Sequence, residues 1–429
     1  MDRPRDLDGQ VCYTVRMKPG TRNTARRPSP AATRNAKAPP KRLVKKVVKR
    51  IVRGQPSWRI ASPHVEAFVT ELGGHLGPVS FRLGRKKIAP YSVAPWAEER
   101  IDPATPNILR VLRGDFFCMP FGGNETPYRG ERHPVHGETA NARWRFESLS
   151  RDAGLAWIHL SLATKIRKGR VDKKIFLKDG ETTVYSLHVV SGMKGPVNLG
   201  HHAMLRFPDR PGSGIVSTSR FLHGQVFPGI LEEPEKGGYT ILRPGAVFEK
   251  LEEVPTATGG MADLSRYPAR RGYEDLVTLV ADPDLPFAWT AVSFPEERFV
   301  WFALKDPRIL CETIFWISNG GRHYPPWNGR HVNVMGLEEV TSCFHPGLAE
   351  SAGRNPLSKL GYPTCLRLDP AETLRVPYIM GVAAIPAGFD KVVSIKPARG
   401  GGAIELSSKS GKRARARVEL DFLDPRSAW

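Results

Sequence analysis

Short apolar runs, period-two alternation and frequent turn residues place this chain among antiparallel all-β proteins. "VEAFVTELGGHLGPVSFRLG", "GLAWIHLSLATKI", "TTVYSLHVVSG", "EDLVTLVAD", "FAWTAVSF" and "RFVWFALKD" are rich in Val, Phe, Trp and Thr, and Gly, Pro, Asp and Asn separate them. No fixed-period repeat stands out, which argues against a propeller or solenoid. The prediction is one large β-sandwich over residues 56–396 of the 429.

Ahead of it, residues 1–55 form a basic tail. Residues 1–40 are rich in Arg, Pro, Ala, Thr and Asn and are expected to be disordered. "KRLVKKVVKRIVRG" then spaces Leu43, Val44, Val47, Val48, Ile51 and Val52 as on one face of a short basic amphipathic helix. Such a helix suits accessory contact with an anionic surface; a merely solvated tail is the other reading. The formal charge is +21, and residues 1–54 alone hold six Lys and ten Arg against three Asp. Most of the excess therefore sits in the tail and does not mark a nucleic-acid cleft on the fold.

Within the sandwich, "CMPFGGNETPYRGERHPVHGETANARW" (118–144) is a long, shaped loop. It holds His133 and His136, the latter followed by a Gly that allows close ligand approach. An ordinary surface loop with incidental histidines is the alternative.

"PVNLGHHAMLRF" (196–207) reads as a strand. Its odd positions, Val197, Leu199, His201, Ala203, Leu205 and Phe207, are apolar but for the histidine, which puts His201 toward a core. His202 shares the even face with Asn198 and Arg206, as in a polar groove. Strand histidines are commonly structural, so parity alone leaves the part of His202 open.

"GRHYPPWNGRHVNVMGLEEV" (321–340) sets Glu338 on a face with Val332, Val334 and Val340. A carboxylate on an apolar face is desolvated and its pKa rises, which makes it a better base near neutrality. Glu339 faces the other way with Asn333 and His331 and reads as solvated. Trp327 reads either as an exposed aromatic that stacks on a sugar or as a plug at the core edge. "EEVTSCFHPGLAESAG" is the best helix candidate, and a short one. Beyond it, residues 397–429 read as a Gly-rich linker leading into a basic segment, with one last strand as an option.

Cys12, Cys118, Cys311, Cys343 and Cys365 are scattered without a C-x-x-C pair, so reduced, mostly buried thiols are expected. No apolar run reaches the roughly 18–20 residues of a membrane span, and the first residues are charged, unlike a secretory signal. A cytoplasmic protein is the expectation.

Taken together, the pieces resemble the aldose 1-epimerase (galactose mutarotase) family and its wider superfamily. "VTELGGHLGPVSF" resembles the opening hairpin of that fold. "GDFFCMPFGGNE" is similar to the segment G-x-x-x-x-P-F/Y-x-N-R, and "VHGETANARW" to the following H-G-x-x-x-x-x-W. "PVNLGHHAMLRF" is similar to the V-N-x-T-N-H-x-Y-F strand, and "VMGLEEV" to the late L-E-T/P segment. The resemblance spans about residues 60 to 385.

The resemblance implies an antiparallel β supersandwich with an open carbohydrate cleft. It implies Glu338 as base, His202 as acid and His136 as a hydrogen-bonding helper near the ring oxygen, with neither a metal nor an organic cofactor. The family's sugar-binding arginine falls on Glu125, beside Asn124, and Arg129 or Arg143 are the candidate substitutes. Its sugar-binding aspartate is matched by Asp275 of "GYEDL", and Trp327 joins the expected sugar contacts. The implied activity is interconversion of α and β anomers of an aldose, a monosaccharide or glycan being the partner. A non-catalytic sugar-binding protein on the same fold is the alternative, motivated by Glu125.

Overall fold

The computed structural model describes residues 48–427 and Trp429. Two antiparallel sheets face one another. The first runs Val247–Phe248, Phe221–Val226, Tyr273–Ala281, Glu312–Asn319, Val334–Thr341, Leu199–Arg206 and Phe117–Cys118, in that spatial order. The second, of nine strands, is centred on Phe299–Lys305, Leu374–Ala384 and Thr183–Ser191. Between them lies a large apolar core that includes Leu199, Ala203, Leu205, Val277, Phe315, Leu337, Val376 and Met380. Strands alternate their side chains, so the seven-stranded sheet has a second face, away from its partner. There Met204, Leu276, Ile314, Trp316, Val334 and Val340 meet Trp96, Phe116 and Phe121 from covering loops and Ile108 from the short helix Asn107–Val111. That second face carries the candidate site.

Both ends of the expected sandwich differ from the sequence reading. Of the expected amphipathic helix, residues 41–47 lie outside the described residues, and Arg50–Val52 form a strand paired with Gln55–Ser57. Arg53 and Gly54 make a two-residue turn with φ of 49° and 75°, the left-handed pair that a tight hairpin requires. The turn chemistry of "RG" outweighs the helical spacing. These strands continue into a five-stranded sheet over residues 50–88.

At the other end, the expected linker is a hairpin loop. Val392–Pro397, Ala403–Ser408 and Arg413–Arg417 build a three-stranded sheet, with Gly400, Gly401 and Gly402, all at positive φ, turning between its first two strands. "RARAR" sends Ala414 and Ala416 inward with Ile404, Leu406 and Phe422, onto Phe176, Tyr185, Phe302 and Ile379 of the nine-stranded sheet. Alternation with alanine, whose side chain is small, hid an inward face that the arginines make look basic.

The helix candidate at 338–353 is a strand to Thr341 followed by a five-residue helix, Leu348–Ala352. Cys118, Cys311 and Cys343 are free and buried, but Cys365 is disulfide-bonded, so the expectation of reduced thiols fails there. Among the described residues, no helix is long and apolar enough to cross a membrane.

Candidate functional site

The strands Leu199–Arg206 and Val334–Thr341 pair antiparallel with His202 directly opposite Glu338. Cross-strand partners share a face, so both side chains leave the sheet together. His202 Nε2 lies 3.0 Å from Glu338 Oε1. Gly336, two residues before the glutamate on the same face, leaves the room: a Cβ there would stand 2.7 Å from Glu338 Oε1. Phe116 stacks on the His202 ring at 4.5 Å and on His75 at 4.1 Å, fixing the imidazole from behind.

His136 arrives from the long loop. Its backbone has φ of 58°, and its N–H donates to Gly122 O at 2.7 Å. The Gly122 N–H in turn donates to His136 Nδ1 at 3.3 Å, which puts the ring proton on Nε2 and makes that atom a donor. The ring stands 5.1 Å from that of His202 and 5.3 Å from that of His345. His136, His202, His345 and Glu338 line one cavity of about 110 Å³, together with Arg322, Trp316 and Trp327. Apolar side chains, among them Leu109, Leu112, Val135 and Leu276, make up much of the rest.

This enclosure sets the charges. Burial pushes the Glu338 carboxyl well above the usual range, with Arg322 pulling it back. Burial pushes His202 down to about 3 and His345 to about 4, and lowers His136 well below its ordinary value. Each group alone thus prefers its neutral form. In contact, Glu338 and His202 form a pair across which one proton can move without changing the net charge. Glu338 Oε2 and His202 Nδ1 have no hydrogen-bond partner among the described residues. Unsatisfied buried polar atoms are costly, and these two are free to accept or donate to a ligand.

The structure brings Glu338, His202, His136 and Trp327 together and leaves the other five predicted residues out of the cavity lining. Asn124 is a buried clamp: its Nδ2 donates to Pro120 O, Gly122 O and Pro134 O, and its Oδ1 accepts from Leu348 N–H. Those bonds tie the long loop to the segment carrying His345. Glu125 and Arg129 are exposed on the same loop. Arg143 is exposed and pairs with Glu71 at 3.0 Å. Asp275 sits on the opposite face of its strand, where its Oδ1 accepts from the N–H groups of Ile241 and Leu242. Its neighbour Glu274 is the carboxylate on the cavity side, accepting from Trp316 Nε1 at 3.1 Å and Ser318 Oγ at 3.0 Å.

Trp327 is neither exposed nor a simple plug: at 5% exposure it packs edge-on to Trp96 and Trp316 while lining the cavity. Glu339, read as solvated, is buried between the sheets, 2.5 Å from Lys305 Nζ, and accepts from Thr290 and Thr313. A lysine from the facing sheet neutralises it, a long-range partner that local sequence does not display. His201 does face the inter-sheet core, where its Nδ1 meets Asp115 Oδ2 at 2.9 Å. His133 bonds Glu131 at 2.9 Å.

Two ionisable lining residues escaped the sequence reading, as did Trp316. His345 follows the glutamate strand, and the only local signal was its place in "CFHPG". Arg322 sits in "GGRHYPPWNG", among the aromatics that turned out to wall the cavity. Among the described residues, no group of three or more His, Cys, Asp or Glu is arranged to hold a metal.

Solved structures share this architecture. A candidate aldose 1-epimerase from Escherichia coli K12 matches with a TM-score of 0.50 and 13% identity, over 77% of this chain and 100% of that one. A candidate aldose 1-epimerase from Klebsiella pneumoniae gives 0.52 and 13%, over 77% and 79%. A candidate mutarotase from Salmonella typhimurium gives 0.50 and 12%, over 79% and 96%. No protein-family model matches the sequence, and no curated protein matches it. At these identities the likeness establishes the fold, a galactose mutarotase-like antiparallel β supersandwich.

Proposed function

We propose that this protein interconverts the α and β anomers of an aldose by acid–base ring opening and reclosure. The observation that carries the reading is the Glu338–His202 pair, 3.0 Å apart in the lining of one cavity with His136. The active form of the pair is the glutamate–imidazolium arrangement reached by shifting its shared proton. Glu338 takes the proton from the anomeric hydroxyl, the C1 carbonyl forms, the bond from C1 to the ring oxygen breaks, and His202 protonates that oxygen. Rotation about C1–C2 and the reverse proton transfers close the ring on the other face, which restores both groups. His136 Nε2–H is suited to hydrogen-bond the ring oxygen. A cavity of about 110 Å³ favours one monosaccharide ring over a glycan chain. Trp316, Trp327 and the leucines of the lining offer apolar surface to the C–H groups of such a ring.

The fold of the three solved structures supports the reading, since their descriptions name aldose 1-epimerase and mutarotase. NMR saturation exchange between anomers, over a panel of aldoses, tests it. Acceleration by wild-type protein is expected. Binding of a sugar with no acceleration of exchange would instead mark a sugar-binding protein on the same fold.

A further inference from the structure

Arg322 follows the strand Glu312–Asn319 and is the only lysine or arginine among the described residues lining the cavity. It is held from several sides. Its Nε donates to Glu232 Oε1 at 2.5 Å, and Tyr324 OH donates to Glu232 Oε2 at 3.0 Å. Its Cζ lies 4.7 Å from the centre of the Trp327 ring and 5.4 Å from that of Trp316, and Glu274 Oε2 is 3.9 Å from its Nε. Glu274 and Glu232 together outweigh the burial that would discharge it. All of this anchoring uses Nε and the faces of the guanidinium. Nη1 and Nη2, with four N–H bonds, make no hydrogen bond to the described residues.

A charged fork fixed in place, with its terminal donors unspent in the wall of a small cavity, is built to meet two acceptors at once. Neighbouring ring hydroxyls present oxygens side by side in that way. Glu232 meanwhile cancels the charge, which removes the reward for an anionic ligand. We propose that Arg322 is a specificity-determining binding residue: its Nη1 and Nη2 donate to two adjacent hydroxyl oxygens of an uncharged aldose, and Glu232 sets the preference for an uncharged ligand. This deepens, and rests on, the reading of the cavity as a sugar site, but not on turnover.

Calorimetric titration of the full-length protein with an aldose that it binds, and with each monodeoxy form, reads the contact directly. In the wild type, removal of either of the two contacted hydroxyls weakens binding about tenfold. In Arg322→Met the parent sugar binds about tenfold more weakly, and those same deoxy forms lose no more than about twofold further. A variant that weakens all sugars equally and keeps the wild-type deoxy pattern would show a structural role and overturn the proposal. Arg322→Lys, which keeps the charge and loses the fork, serves the same comparison if the Met variant does not fold. Glu232→Gln is expected to gain about tenfold for a 6-phosphate or uronate form of the same sugar; no gain overturns the charge-cancelling part. Bound sugar without anomer exchange would defeat the proposed activity and leave this contact standing, whereas no binding by any aldose would remove both.

Discussion

At the scale of residues, strand parity separates two adjacent histidines. His201 faces Asp115 between the sheets, and His202 faces Glu338 on the outer side. If His202 is the acid, His202→Asn lowers the anomerisation kcat about 10²- to 10⁴-fold with little change in sugar affinity, read by saturation exchange beside calorimetry. This division was legible in the sequence because period-two alternation is a local property of a strand. The same parity places Asp275 opposite the cavity and Glu274 toward it; a resemblance anchored on "GYEDL" fixes the strand but not which of two adjacent acids faces in. Arg322 and His345 escaped because they sit in loops, where no periodicity says which way a side chain points. The pairing that anchors Arg322, to Glu232, spans the distant residue numbers 232 and 322.

Elements explain why those residues meet. The face that carries Glu338 needs a gap in its own strand, and Gly336 supplies it. Gly336→Ala would place a methyl group 2.7 Å from Glu338 Oε1 and push the carboxylate aside. Its expected cost is about 10²-fold in kcat, because misplacement by about 1 Å disrupts a reacting geometry, while the folded fraction in a circular dichroism melt stays close to wild type. The C-terminal sheet does different work: it covers the outer face of the nine-stranded sheet. Phe422 is buried against Phe176, Tyr185 and Trp429 there. Phe422→Ala is expected to cost about 3–5 kcal/mol in urea unfolding with sugar affinity unchanged. Sequence patterning missed this sheet because alanines form its inward face and a glycine hairpin imitates a linker. It likewise missed the hairpin of Arg50–Val52, where a two-residue turn decides against the helix.

On the scale of the whole molecule, the fold class was readable because alternating β-branched and aromatic runs recur throughout the chain. What alternation does not display is the amount of ionisable material buried with the core. Burial lowers the pKa of His75, His136, His188, His202, His331 and His345, those of His202 and His331 to about 3 and that of His345 to about 4. It raises those of Glu274 and Asp275 to about 7 and those of Glu312 and Glu338 well above normal. Below the unfolded histidine pKa of roughly 6.5 the unfolded chain binds protons that the folded one refuses, so the histidines cost stability as pH falls. The raised carboxyls act oppositely. Folded, Glu274 and Asp275 bind protons from about pH 7 downward, and Glu312 and Glu338 hold theirs above the usual range; unfolded, all four wait until about 4.5 or lower, so they add stability as pH falls toward that value. Four raised carboxyls offset only part of what six lowered histidines lose between about pH 6.5 and 4.5. Below about 4.5 the carboxyl gain ends and the histidine loss continues, at about 1.4 kcal/mol per pH unit for each histidine still neutral in the fold, joined by that of ion-paired carboxylates such as Glu131 and Asp172. Urea midpoints should therefore fall gently across the first interval and more steeply below it. A fall between pH 6.5 and 5.5 as steep as that below 4.5 would contradict this charge assignment.

In the proposed reaction, Glu338 and His202 move protons on a bound aldose. Saturation exchange between α and β anomers, compared for the wild type and Glu338→Gln at matched sugar occupancy, tests it most directly. The expected result is catalysed exchange in the wild type and a loss of about 10²- to 10⁴-fold in the variant, with sugar binding retained. Equal exchange rates in the two proteins at equal occupancy would contradict it.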